Sequence, residues 1–201
     1  MDVLLNPDKF FAEHKEMGFK LPIAIVAISA TISAISAYSI SQTIFKAVPI
    51  EQGGLNLLPL LSAFAAISAF LGVFLFWIIL TAILYLLSAI FKGKGDFTTL
   101  MKFLAFSFIP PIILSPVYLY LDAELFGSPT MENLYAVIIF SGVVAIWQFV
   151  YFVFAVKNAR ELSVKKSAIV CAIPLVLWFA YSIYSLQSQL EALQMLKSLQ
   201  G

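Results

Sequence analysis

Five runs without a single charged residue or histidine take up most of this sequence: residues 21–45, 52–91, 103–121, 133–156 and 167–190, none shorter than 19 residues. A helix rising ~1.5 Å per residue crosses a hydrocarbon layer of ~30 Å in about 20 residues, so each run predicts one crossing. A soluble protein would interrupt its apolar runs with polar surface at the spacing of single strands or helices. Here 62% of the 201 residues are apolar and 11% are charged, too little polar surface to enclose what would need burying. The second run stands apart, because its 40 residues as one helix would reach ~60 Å. Gly53, Gly54, Asn56 and Pro59 mark a loop and a helix start, which places the crossing near 68–91 after an interfacial or tilted extension.

The expected fold is therefore all-α: one polytopic membrane domain over residues 1–201, with five transmembrane helices at about 21–45, 68–91, 103–121, 133–156 and 167–186. Amphipathic helices are expected at both ends. Near the start, Asn6 can cap a helix that has Pro7 in its first turn and Asp8 at its positive end. Phe10, Phe11, His14 and Met17 share one face of it, with Lys9, Glu13 and Glu16 on the other, so residues 1–20 predict a helix lying on the membrane surface. At the far end, Leu186, Leu190, Leu193 and Met195 or Leu196 continue one face into an amphipathic tail, 187–201. A positive leader with a small-residue cleavage site is missing, so no cleaved signal peptide is expected.

Ten of the twelve lysines and arginines lie on one side of five alternating crossings, and only Lys46 and Lys197 lie on the other. The positive-inside rule then predicts a cell-membrane protein with a cytoplasmic N-terminus and an outer C-terminus. Tyr118, Tyr120, Tyr135, Tyr181 and Tyr184 would gather at the outer interface. The cytoplasmic loops supply candidate contacts to anionic lipid in Lys92, Lys94, Lys157, Arg160, Lys165 and Lys166.

Catalysis has little to work with. The runs contain no acid, base, nucleophile elbow or paired-histidine metal motif, so neither enzymatic activity nor a cofactor or metal is expected. Gly93-Lys94-Gly95 lacks the glycine spacing and preceding strand of a phosphate loop and reads as a turn between helices. Cys171 reads as a small core residue and His14 as a lone interfacial histidine. Nothing in the charge pattern suggests nucleic acid.

The third run is broken by proline. Pro110, Pro111 and Pro116 lack the N–H groups that would pair with the carbonyls of Phe106, Ser107 and Ile112, so a break is expected at Ile109–Pro110. It would be either a kink covered by Ser107, Ser115 and neighbouring helices, or a solute site of the sort found at broken helices. Gln148, the one amide in the interior of the fourth run, is placed to bond one of these carbonyls. Phe106, Ser107, Pro110, Pro111, Ser115 and Gln148 thus form the candidate break or solute site. The first run carries Ala24, Ala27, Ser29, Ala30, Ser33, Ala34, Ser36 and Ala37, a small-residue face that predicts close helix packing, inside the bundle or against a protein partner or second copy.

NPDKFF before the first run, FKGKGDFTTLMKFLAFSFIPPIIL, and the segment from Trp147 through Arg160-Glu161-Leu162-Ser163 to Ala168 together resemble the Ypt-interacting-protein (Yip) domain family, over nearly the whole chain. The resemblance implies five membrane helices, a cytoplasmic N-terminus and a short outer C-terminus. Eukaryotic members act in vesicle trafficking and bind prenylated small GTPases. They carry a long cytoplasmic N-terminal region and an aspartate-leucine-tyrosine-glycine-proline motif, and this chain has neither. That departure argues against GTPase binding and for a compact prokaryotic-type member. Two functions follow as expectations: a non-enzymatic scaffold or membrane-organising protein, or a small transporter or channel for a neutral solute, ion or lipid using the broken third run.

Overall fold

Lipid and protein interiors are equally apolar, so a membrane helix sorts its faces by keeping small and polar groups inward and large apolar side chains outward. A computed structural model, describing residues 2–47, 51–52, 55–127 and 130–177, follows this logic and is almost wholly helical. Two short helices, α1 (Asp2–Leu5) and α2 (Pro7–Glu13), precede the long α3 (Lys20–Ala47). A two-residue antiparallel ladder, Glu51 opposite Asn56 and Gln52 opposite Leu55, leads into α4 (Leu58–Ile90). The third run forms α5 (Phe97–Leu104), a 3-10 turn (Ala105–Phe108), α6 (Ile109–Ile113) and α7 (Ser115–Gly127). Then come α8 (Met131–Arg160) and a last helix, α9, at 164–177. The expected tail at 187–201, the end of the fifth run, Tyr181 and Tyr184 lie outside the described residues.

Among the described residues, three helices are long and apolar enough to cross a membrane: α3 over Lys20–Thr43, α4 and α8. A fourth crossing arises if Phe97–Ile113 and Ser115–Phe126, bent by 59°, form one broken span. The faces of α4 show the sorting. Leu60, Phe64, Ile67, Leu71 and Leu75 form an exposed stripe, whereas Trp77, Thr81, Leu84 and Ser88, at the same helical spacing, are buried. The Thr81 and Ser88 hydroxyls donate to the carbonyls of Trp77 and Tyr85 at 2.7 Å, so the polar atoms turned inward are satisfied by their own helix. At 33 residues α4 is ~50 Å long, so it tilts in a ~30 Å core or projects from it.

Packing is uneven along the bundle. Fully or nearly buried Phe11, Leu100, Phe103, Leu104, Phe106 and Tyr151 fill the end that carries the 92–96 and 161–163 loops, called here the basic end. Asp96 starts α5 by accepting from the Thr99 N–H at 2.8 Å. The Trp77 indole donates to the Met101 carbonyl at 2.9 Å just before the helix tightens into its 3-10 turn, tying α4 to α5.

The N-terminal segment corrects one expectation. Its apolar face is turned into the protein, not laid on a membrane surface. Phe11 is 0% exposed, with its ring centroid 4.7 Å from that of Phe103 and 5.8 Å from that of Phe106. Further ties run along the strap formed by residues 2–19. Tyr151 donates to the Val3 carbonyl at 3.0 Å, and Lys102 to the Met17 carbonyl at 2.9 Å. Lys157 and Asn158 of α8 both donate to the Asp8 carboxylate, at 2.6 and 2.8 Å. The reason is geometric: α5 and the 3-10 turn leave an aromatic socket beside α8 that the Phe10–Phe11 pair fills. His14 stays exposed, stacked on Phe10 and bonded to its carbonyl at 2.8 Å.

Asp8 gives the strap a pH dependence. Burial pushes its pKa up, but the hydrogen bonds from Lys157 and Asn158 and the Lys157 charge together outweigh burial and leave it below the ordinary value. A carboxylate with a depressed folded pKa stabilises the docked strap above its unfolded pKa of about 4, and that contribution is lost as pH falls through the folded value. Both partners keep substantial exposure, 28% for Lys157 and 34% for Asp8, so solvent screening holds the effect to about 1 kcal/mol or less. Proteolysis between residues 14 and 19 should therefore speed up several-fold between pH 5 and pH 3 in wild-type protein. In Asp8→Asn it should be faster at pH 7 and flat with pH. A pH-independent wild type would exclude the latch.

Candidate functional site

The proline-broken segment was expected to part at Ile109–Pro110. The chain instead turns four residues later, at Leu114, which has φ −91° and ψ 3° between α6 and α7. Pro110 and Pro111 sit in the first turn of α6, where proline is tolerated because the missing N–H groups face a helix start. The 3-10 turn before them absorbs the mismatch. The Phe106 carbonyl accepts from the Ile109 N–H three residues on, and the Ser107 carbonyl accepts from the Gln148 side chain of α8 at 3.1 Å. Pro116 also stands second in its helix, α7, but no 3-10 turn precedes it. Ile112 loses its helical donor and takes the Ser115 hydroxyl at 2.8 Å, and the direction changes there.

The six residues of the candidate break consequently do not converge on one site. Phe106 and Ser107 are 1% and 2% exposed, Pro110 is buried, and the Ser107 hydroxyl is spent on the Leu104 carbonyl at 2.7 Å. With Gln148 they form a closed polar knot inside the packed end. Pro111 and Ser115 face the other way. They line a cleft of about 310 Å³ between α3 and the α6–α7 segment, with Ser29, Ser33 and Ser36 opposite. The small-residue face of α3, expected to pack closely, borders this open volume on its α7 side. Asp122, the first charged residue after the third run, lies within α7 and accepts from the Ser36 hydroxyl at 3.0 Å across the cleft. No local signal separates an acid ending a helix from one starting a loop.

The six candidate lipid contacts also divide. Lys92, Lys94, Lys165 and Lys166 are exposed. Lys157 holds Asp8. Arg160 is not a lipid contact, because it is 2% exposed with its guanidinium turned inward. Its Nε donates to the Ser88 hydroxyl at 2.8 Å, a terminal nitrogen donates to the Gly93 carbonyl at 2.8 Å, and the guanidinium lies 4.0 Å from the Tyr85 ring centroid. The charge sits where α4 and α8 both end, and the negative ends of two helix dipoles stabilise a cation there. Lys94 donates its N–H to the Arg160 carbonyl at 3.0 Å, and Gly95 lies so close to Ala159 that a Cβ would overlap the Ala159 carbonyl. Gly93 and Gly95 thus permit a close approach between two backbones. Glu161 completes the end of α8 in a left-handed conformation, φ 53°.

This geometry joins three segments far apart in sequence: the NPDKFF strap, the Gly-Lys-Gly loop with its proline-broken helix, and the end of α8. No solved structure matches the chain. An uncharacterized protein of Methanocaldococcus jannaschii is 36% identical over 115 residues, which are 56% of this chain and 80% of that protein. The Yip1 domain matches residues 1–186, from the strap to beyond the last described helix. A match of that extent, on a chain built of long apolar helices, makes this an integral membrane protein belonging to the Yip1 domain family.

Proposed function

We propose that the chain is a non-enzymatic scaffold that organises membrane. In this reading it crosses the cell membrane five times, with its N-terminus and basic end in the cytoplasm, its C-terminus outside and an amphipathic tail at 187–201. The observation that carries the proposal is the filled basic end. The cleft reaches Pro111, and beyond it lie Phe106, Phe103 and the strap's Phe11, each at most 1% exposed. The interlock of Gly93, Lys94 and Arg160 holds the 92–96 loop against the end of α8. On this reading the exposed Lys92, Lys94, Lys165 and Lys166 serve as the face for anionic lipid, each base contributing about 1 kcal/mol near such a surface. Ser68 and Gly72, four apart and exposed on α4, offer a small-residue face for a partner helix or a second copy. The cleft favours a second reading, a small transporter for a neutral solute, ion or lipid.

Three measurements test these statements. Single cysteines at Asp2 or Gly201, in Cys171-free protein, are treated on intact cells with an impermeant thiol reagent; labelling is expected at position 201 alone, and the reverse pattern overturns the orientation. Neutralising Lys92, Lys94, Lys165 and Lys166 to glutamine should weaken association with phosphatidylglycerol bilayers about tenfold or more at moderate salt, and an unchanged association removes lipid recognition. Saturable solute flux into proteoliposomes that Ser115→Phe blocks would replace the scaffold with the transporter.

A further inference from the structure

A carboxylate inside a membrane protein needs a partner, and Asp122 has only part of one. Ser36, which donates to it, lies 16 residues into α3 from Lys20, so the pair sits ~24 Å from the basic end, within a hydrocarbon thickness of ~30 Å. Among the described residues no lysine, arginine or histidine forms an ion pair with Asp122. The cleft beside it is lined by two matching helix faces, Ser29, Ser33 and Ser36 on α3 and Ser115, Tyr118 and Asp122 on α7, and contains no base. Five of its twelve lining residues carry hydroxyl groups, six are apolar, and Asp122 supplies one negative charge. The depth of the pair leaves Asp122 ~6 Å inside the far face of the layer and half-buried, where a ligand's charge can reach it.

We propose that this cleft binds a ligand carrying a primary ammonium group, seated on Asp122, with a small polar body held by the serine hydroxyls. The charge count requires a single positive charge. The lining points to an ammonium over a metal ion, since no group of three metal-ligating side chains occurs among the described residues, while serine and carboxylate oxygens accept its three N–H donors. Volume points the same way. About 310 Å³ is roughly ten times a water's ~30 Å³ share of the liquid, room for an ammonium with a body attached. Two sources share this chemistry, the ethanolamine headgroup of a membrane lipid and a free short-chain amine. The site is independent of the scaffold reading, because it uses the open half of the bundle and not the basic end.

The test uses full-length protein in phosphatidylcholine nanodiscs, titrated separately with phosphatidylethanolamine and with free ethanolamine, binding being read by thermal shift. At least one primary-ammonium probe should bind saturably, and any phosphatidylglycerol shift, which belongs to the lysine face, should be the same in Ser33→Phe as in wild type. Asp122→Asn should weaken binding about tenfold or more, as expected when a charge-assisted contact becomes neutral. Ser33→Phe, which fills the cleft and keeps the carboxylate, should abolish it, so the proposal stays testable if Asp122→Asn folds poorly. Saturation by the lipid without competition from ethanolamine identifies the headgroup, and saturation by ethanolamine identifies a free amine. The proposal is overturned if neither probe saturates, if Ser33→Phe removes a phosphatidylglycerol shift along with the ammonium shift, or if both variants bind like wild type.

Discussion

Gly95→Ala is expected to cost about 3 kcal/mol or more and to lower the yield of folded protein sharply, the largest effect of any single methyl group added to this chain. The added carbon would overlap the Ala159 carbonyl oxygen and lie 2.8 Å from the carbonyl carbon. Both are backbone atoms at the end of a 30-residue helix and cannot swing aside. The loop would have to lift, breaking the bond from Lys94 to the Arg160 carbonyl and leaving the buried guanidinium without Gly93. Gly93→Ala should do less, because its nearest neighbours stand at 3.1–3.2 Å and two of the three belong to the Arg160 side chain. Cys171, the lone cysteine and 3% exposed, supplies the readout, since a thiol-reactive dye will label it only as the bundle opens on heating in detergent. Wild-type melting of Gly95→Ala would refute the interlock.

Phe11→Ala removes the side chain that fills the socket between Phe103 and Phe106, a truncation that costs about 3–5 kcal/mol in a rigid core. Here the chain has a cheaper response. The strap's other ties are half-buried apolar contacts of Val3, Phe10, Met17 and Phe19, a few hydrogen bonds and partly exposed ion pairs, weaker than the fully buried Phe11, so residues 2–19 should detach and the membrane helices remain folded. The opening population should rise about a hundredfold, matching ~2.7 kcal/mol of lost docking energy. Cleavage between residues 14 and 19 should accelerate accordingly, while Cys171 labelling shows a much smaller shift in melting. Leu5→Ala, at an 85% exposed position, is the control and should change neither. If Phe11→Ala lowered the melting temperature as far as Gly95→Ala, the strap would be part of the cooperative core.

The third run shows where sequence reasoning reaches and where it stops. Proline chemistry is local, so the carbonyls of Phe106, Ser107 and Ile112 could be named as lacking helical donors, and Gln148 and Ser115 do reach two of them. The position of the turn was not legible in the same way. It depends on whether the chain before a proline can tighten, and the 3-10 turn at 105–108 spares Pro110 and Pro111 the break that Pro116 then produces. Arg160 illustrates a second gap. Beside Lys165 and Lys166 it looks like one more solvated loop base, and only the close approach permitted by Gly93 and Gly95 reveals a buried cation.

By itself the sequence determined what depends on composition and order along the chain: a membrane class, long helices in the uncharged runs, a proline-disturbed third segment, a cap at Asn6, and family membership. Tertiary structure alone decided which faces meet. It turned Phe11 into a socket, Arg160 inward and Asp122 toward Ser36, and it packed the small-residue helix α3 closely on α4 while leaving a cleft on its α7 side. The physical reason lies in the solvent. In water, apolar periodicity reveals the buried side of a helix, but lipid accepts leucine as readily as a core does. With apolar residues on every side of α4 and α8, inward and outward faces are told apart only by the neighbours they touch.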